Sequence, residues 1–186
     1  MKIYLKNKTT SEISKVESKN FSTLSRGVRD LNDEATQEEA DVFILQESKD
    51  KTITQIKTNR NNANLLPLNS IQALEIIDNG DGSFTTSENS KNFLFNVAKT
   101  NTPLTESSNI INSALRGKVI RYSCAIVEGE NIRKGYVEID VTVAENIENH
   151  LIVRGQDNVA LANSLEDEVN ACTTIEEVEA IDINFS

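Results

Sequence analysis

Tryptophan is missing from this 186-residue chain, which holds one histidine, two cysteines, two prolines and seven glycines. Each scarcity excludes something. Zinc sites gather several Cys and His ligands at close spacing. His150, Cys124 and Cys172 lie far apart, so no metal site is expected. Two cysteines do not make a disulfide framework in a chain this long; both read as small apolar packing residues. A Ser-His-Asp or Cys-His arrangement would have to use His150, which sits beside Asn149 and Leu151 and reads as a loop-to-strand junction. No catalytic residue is assigned. No G-x-G-x-x-G and no G-x-x-x-x-G-K-[ST] occurs, so no glycine cradle holds a nucleotide and no cofactor is expected. No apolar run approaches the ~20 residues of a membrane span. The start, Met1 to Lys6, is too short and too broken by lysine for a signal peptide, which predicts folding in a cytoplasm.

What is present supports a core. Leu, Ile, Val and Phe total 52 residues, about 28%, above the roughly 20% below which disorder is expected. Asparagine is the commonest residue at 22 copies. Asn, Ile and Lys have AT-rich codons, so the source genome reads as AT-rich. No internal repeat stands out.

Residues 1–5 and 11–18 read as short strands. Phe21, Leu24, Val28 and Leu31 recur at helical spacing after Ser22 as N-cap, with Asn32-Asp33 as the stop. Residues 36–47 are open between helix and strand. Gln37-Glu38-Glu39-Ala40 favours helix. Val42-Phe43-Ile44-Leu45 reads as a buried strand, and a turn at 48–50 before a Thr/Ile run at 52–58 favours a hairpin. Residues 59–64 read as a polar loop. Asp78-Asn79-Gly80-Asp81-Gly82 is a hairpin signal. It lacks the side-chain oxygens at positions 3 and 5, and the Glu at 12, of a calcium loop. Phe93, Phe95 and Val97 alternate as a strand. Ile110, Ile111, Ala114 and Leu115 outline a helix capped by Ser107 or Ser108, with Gly117 as its stop.

The best strand pair follows. Ile120, Tyr122, Cys124 and Ile126 share one face. After a turn at 129–131, Val137, Ile139, Val141 and Val143 share another, while Tyr136, Glu138, Asp140 and Thr142 point the opposite way. Leu151-Ile152-Val153 reads as a strand ended by Gly155. Asp157 reads as the cap of a helix carrying Leu161, Leu165, Val169 and Cys172. Thr174 with Glu177 makes a capping box for a second short helix. The predicted class is α+β: a mainly antiparallel sheet, with hairpins near 71–86 and 119–143, and a C-terminal helical hairpin. One domain over 1–186 is expected, the alternative being an N-terminal α/β segment (1–68), a β-rich core (69–156) and an acidic helical end (157–186).

The net charge of −10 is unevenly spread. Residues 1–29 carry +5, residues 30–50 carry −7, residues 51–137 carry +3 and residues 138–186 carry −11. Arg116, Lys118, Arg121, Arg133 and Lys134 cluster around the 119–143 hairpin with Tyr122 and Tyr136 among them, a candidate interaction face. Aromatics beside cations can stack single-stranded bases. The acidic end holds Glu166, Asp167, Glu168, Glu176, Glu177, Glu179 and Asp182, a candidate partner segment. Its last residues, Ile181 to Ser186, resemble the acidic, Phe-tipped tails of bacterial and phage single-stranded DNA-binding proteins, although here Ser186 follows the Phe. That resemblance implies a partner-recruiting tail. The competing reading packs Ile183 and Phe185 down.

Whole-surface binding to duplex DNA is disfavoured by the charge. The expected function is a non-enzymatic structural or assembly protein, a bacteriophage virion component of capsid-accessory, decoration, connector or tail-completion type. It would be assembled in the host cytoplasm and work through contacts with other protein subunits, not with membrane. Unlike charges at its two ends suit head-to-tail subunit contacts. The alternative is a single-stranded nucleic-acid-binding protein. An enzyme using carboxylates alone ranks last.

Overall fold

The computed structural model describes residues 2–17, 32–98 and 104–185. All the strand pairings are antiparallel, and with the helices they make the α+β class that was expected. Two compact units form, residues 1–56 with 164–183 and residues 57–163 with 184–186. The helix expected over 21–31 lies outside the described residues. Among the described residues no helix is long and apolar enough to cross a membrane.

In the first unit β1 (Lys2–Asn7) lies between β2 (Ile13–Glu17) and β3 (Asn32–Glu34). The β1–β2 turn forms because the Asn7 side-chain oxygen accepts from the backbone N–H groups of Thr9 (2.8 Å) and Thr10 (3.0 Å), the Asx chemistry that favours turns. Helix α1 (Gln37–Asn64) starts here. Thr36 Oγ1 accepts from Glu39 N (3.2 Å) and Thr36 N donates back to Glu39 Oε2 (3.1 Å), a reciprocal capping box. Tyr4 meets Phe43 edge-on at 5.8 Å, and Lys6 and Lys15 pair with Glu39 and Glu47.

The second unit is built on a closed barrel of β4 (Leu68–Asp78), β5 (Phe84–Phe95), β6 (Ile120–Glu128) and β7 (Asn131–Ile139), in that order. The closing seam is short: Glu75 faces Val137 and Ile76 faces Tyr136. Alternation aims Ile71, Ala73, Phe93, Phe95, Tyr122, Cys124, Ile126, Val137 and Ile139 inward, all buried. Fully burying each phenylalanine stabilises by about 2–3 kcal/mol. Helix α2 (Leu104–Leu115) adds Ile111 and Ala114 to this core, and the start of helix α3 (Val141–Ala171) adds Ala144 and Ile147. The β4–β5 turn holds Gly80 and Gly82 at φ of +80° and +87°, a region that favours glycine.

Several expectations are corrected. Residues 36–58 form no strand or hairpin, and 59–64 form no loop: all but Thr36 belong to α1. The Thr36–Glu39 box starts the helix, no Gly or Pro interrupts 37–64, and Gln37–Asp41 (2.6 Å) and Gln46–Asp50 (2.8 Å) bond at i, i+4. Val141, Val143 and Leu151–Val153 are helical, not extended, and His150 and Asp157 are interior to α3. Asp140 ends the alternation: its Oδ1 accepts from Val143 N (2.9 Å) and its carbonyl from Ala144 N (3.0 Å), so it caps α3. Asn131 belongs to β7, and the turn before it is Gly129-Glu130. Neither Ser107 nor Ser108 caps α2: both lie within it, and Ser107 donates to Asn96 O at 2.8 Å. Gly117, at φ +82°, ends α2 as expected. The expected Thr174–Glu177 capping box is present too, and it opens α4 (Ile175–Glu179).

Candidate functional site

The residues predicted as one interaction face fall on both sides of the barrel wall. Strand parity decides which. Arg121 pairs with Glu138, Ser123 with Tyr136 and Ala125 with Lys134, so Arg121, Tyr136 and Lys134 share the outer face. Arg116 and Lys118 are exposed in the segment between α2 and β6. Tyr122 and Arg133 have the opposite parity. Tyr122 is only 6% exposed, with Phe95 and Phe93 rings at 5.3 and 6.1 Å. Its hydroxyl oxygen accepts from Asn96 N and Nδ2 at 3.2 and 3.3 Å. This corrects its assignment to a base-stacking surface.

Arg133 closes one end of the barrel interior. Its Nη1 and Nη2 donate to the two Glu75 carboxylate oxygens at 2.6 and 2.8 Å, and its Nε lies 3.4 Å from Glu128. Lys91 pairs with Glu128 at 2.8 Å. Lys91, Glu75, Glu128 and Arg133 are the inward-register positions next to the apolar core. Hydrogen bonds from Arg133 hold the Glu75 carboxyl below the usual carboxylate range against the opposing effect of burial. Lys91 first, then Arg133, do the same for Glu128. Arg133 is raised in turn, chiefly by Glu75. The guanidinium charge is therefore balanced within the fold by Glu75 and Glu128. Burial first, and Glu75 second, push the Cys124 thiol up to about 12.

The outer face holds a compact stack that the sequence reading did not assemble. The Arg121 guanidinium lies 4.2 Å from the centroid of Phe84 and 4.8 Å from that of Tyr136. Both rings are exposed, at 44% and 38%. Phe84 comes from the far end of β5, paired with Asp78. Two rings fix a long cationic side chain in one orientation and leave the guanidinium edge open for a carboxylate or phosphate. The only sequence clue to Phe84 was its place just after the Asn-Gly/Asp-Gly turn.

The acidic end is structural in part. Glu177 Oε2 accepts from Thr173 N (2.6 Å), Thr173 Oγ1 (3.1 Å) and Thr174 N (3.2 Å). These bonds hold its carboxyl below the usual range, that from Thr173 N most. Asp167, Glu168, Glu176 and Glu179 are exposed, while Glu166 is half-buried and both it and Asp182 are engaged by neighbours. Val178 is buried, and Ile181, Ile183 and Phe185 are half-buried.

A groove of about 590 Å³ lies in the second unit, lined by His150, Arg154, Asp157 and Asn158 of α3 and by Leu66 and Asn69, among others. The α3 residues recur at i, i+4, i+7 and i+8, one helical face, which the expectation of a strand at 151–153 concealed. Arg154 donates to the carbonyls of Asn64 and Leu66, both at 2.8 Å. Asn158 Nδ2 donates to Asn64 Oδ1 at 2.7 Å. Arg154 thus secures the carbonyl end of α1, where a cation is favoured. Among the described residues no three His, Cys, Asp or Glu converge as a metal-binding group. No family model, no curated protein and no solved structure matches the chain.

Proposed function

We propose that this chain is a non-enzymatic structural or assembly protein, a component of a bacteriophage virion that works through contacts with other protein subunits. The exposed Phe84–Arg121–Tyr136 stack carries the reading. Tyr and Arg dominate the energetics of protein interfaces, because a rigid ring or an oriented guanidinium contributes much contact at little entropic cost. Lys134, Arg116 and Lys118 add positive charge, and Asp167, Glu168, Glu176 and Glu179 offer exposed negative charge. Opposite patches of this kind speed and orient subunit encounter. The asparagine-rich composition supports a phage source only indirectly.

The single-stranded nucleic-acid reading loses support from the same geometry. Tyr122 is in the core, Arg133 is bound by two glutamates, and the apolar residues of the acidic end, Val178, Ile181, Ile183 and Phe185, are buried or half-buried. The test is native mass spectrometry of the full chain and of the particle it copurifies with, beside an oligonucleotide titration at low salt. Fixed stoichiometry in a particle, lost on Arg121→Glu, supports the proposal. A monomer at every concentration, or tight oligonucleotide binding that weakens on Tyr136→Ala, overturns it.

A further inference from the structure

We propose that Asn79–Gly80, at the tip of the β4–β5 hairpin, is a self-modification site at which the turn's own side chains promote conversion of Asn79 to aspartate and isoaspartate, with water as co-reactant. The chain contains 22 asparagines and only this one precedes glycine. The reaction needs a nucleophilic backbone nitrogen free of side-chain hindrance, a polarised amide carbonyl and access to water. Gly80 has no neighbour within 4 Å of where a Cβ would stand, and residues 78–83 are all exposed.

The hydrogen bonds match the reaction step by step. Gly80 N–H donates to Asp78 Oδ1 at 2.9 Å, so a carboxylate sits on the proton that the nucleophile must lose. Thr85 Oγ1 donates to Asn79 Oδ1 at 3.1 Å, where it polarises the carbonyl and supports the oxyanion that forms on attack. Asn79 Nδ2 donates to Ser83 Oγ at 2.9 Å, so a hydroxyl lies beside the nitrogen that departs. The Gly80 N–Cγ bond forms and the Cγ–Nδ2 bond breaks. The proton lost from Gly80 N ends on the leaving nitrogen, and ammonia departs. Water then opens the cyclic imide at either carbonyl, with no change of oxidation state.

The product alters the hairpin. A carboxylate appears between Asp78 and Asp81, and the isoaspartyl form adds a methylene to the main chain beside the Asn79 N–H···Ser83 O bond of 3.1 Å that closes the turn. Phe84 follows that turn, so conversion of Asn79 loosens its seat on Arg121. The experiment ages the full chain at neutral pH, folded and in urea, and follows Asn79 by peptide mapping. The exposed Asn89–Ser90 step on β5 serves as comparator. The expected result is conversion of Asn79 at least as fast folded as in urea. Thr85→Val and Asp78→Asn each slow the folded rate by about tenfold, well short of a water-excluded catalytic donor or base. Neither changes the rate in urea, Thr85→Ser keeps the wild-type rate, and circular dichroism confirms that the variants fold. Slower conversion in the folded chain than in urea, or folded rates unaffected by both substitutions, overturns the proposal.

Discussion

Gly135→Ala changes one hydrogen to a methyl, and two effects of opposite sign meet there. Gly135 lies in β7 opposite Cys124, with its inward direction aimed at the barrel core. In an unhindered strand, alanine would stabilise the fold by about 0.4–1 kcal/mol by restricting the unfolded chain. Here the new Cβ would stand 2.4 Å from Ile126 Cδ1 and 3.2 Å from its Cγ1. Cδ1 can swing about χ2, but Ile126 is fully buried, so any new position must be taken from packed neighbours. Overpacking of this kind costs about 1–3 kcal/mol, and the net expectation is destabilisation by about 1 kcal/mol. Ile126→Val removes the clashing Cδ1 and alone costs about 1 kcal/mol. The two substitutions together should therefore cost less than the sum of each alone, a coupling that a double-mutant cycle isolates. Urea unfolding followed by circular dichroism and tyrosine fluorescence supplies the three free energies. A stabilised Gly135→Ala, or strict additivity with Ile126→Val, would refute the argument that Gly135 exists to make room for Ile126.

Other outcomes follow from the same structure. Tyr122→Phe leaves Asn96 N–H without its acceptor and should cost about 1 kcal/mol in urea unfolding, with no effect on association because the ring is internal. Glu75 and Glu128 have lowered folded pKa values. Their contribution is complete above the unfolded glutamate value of about 4.3 and is lost as pH falls through the lower folded values. An acid titration of the urea midpoint should show this loss, and Glu75→Gln should flatten it. Cys124, buried and pushed up to about 12, should resist iodoacetamide at mildly alkaline pH in the folded chain, whereas Cys172, only half-buried, should be labelled first; mapping of the alkylated peptides checks the order.

The α+β class and both hairpins were legible because period-two alternation and paired turn residues are local signals. The α4 capping box was legible for the same reason. The equivalent Thr36-x-x-Glu39 pattern competes with a strand signal at Val42–Leu45, and over a short apolar run β-branching and helix capping point opposite ways. The alternation from Val137 to Val143 ran through Asp140 without showing that this residue caps a helix. The candidate face failed on parity. Tyr122 stands at the same parity as Cys124 and Ile126, and Arg133 at that of Val137. Clustering in sequence grouped them with Arg121 and Tyr136 although the barrel sends them inward. Phe84 is 37 residues from Arg121, and only the barrel's closure brings them into one stack.

The proposed binding of other subunits through the outer barrel face can be read from native mass spectrometry of the particle with which the chain copurifies. Wild type, Arg121→Glu and the buried-site control Tyr122→Phe are compared. The expected result is a fixed number of copies retained by wild type and by Tyr122→Phe, and loss of the chain from the particle on Arg121→Glu while its circular dichroism is unchanged. A wild-type chain that is monomeric alone and joins no particle would contradict the claim, as would full retention of Arg121→Glu.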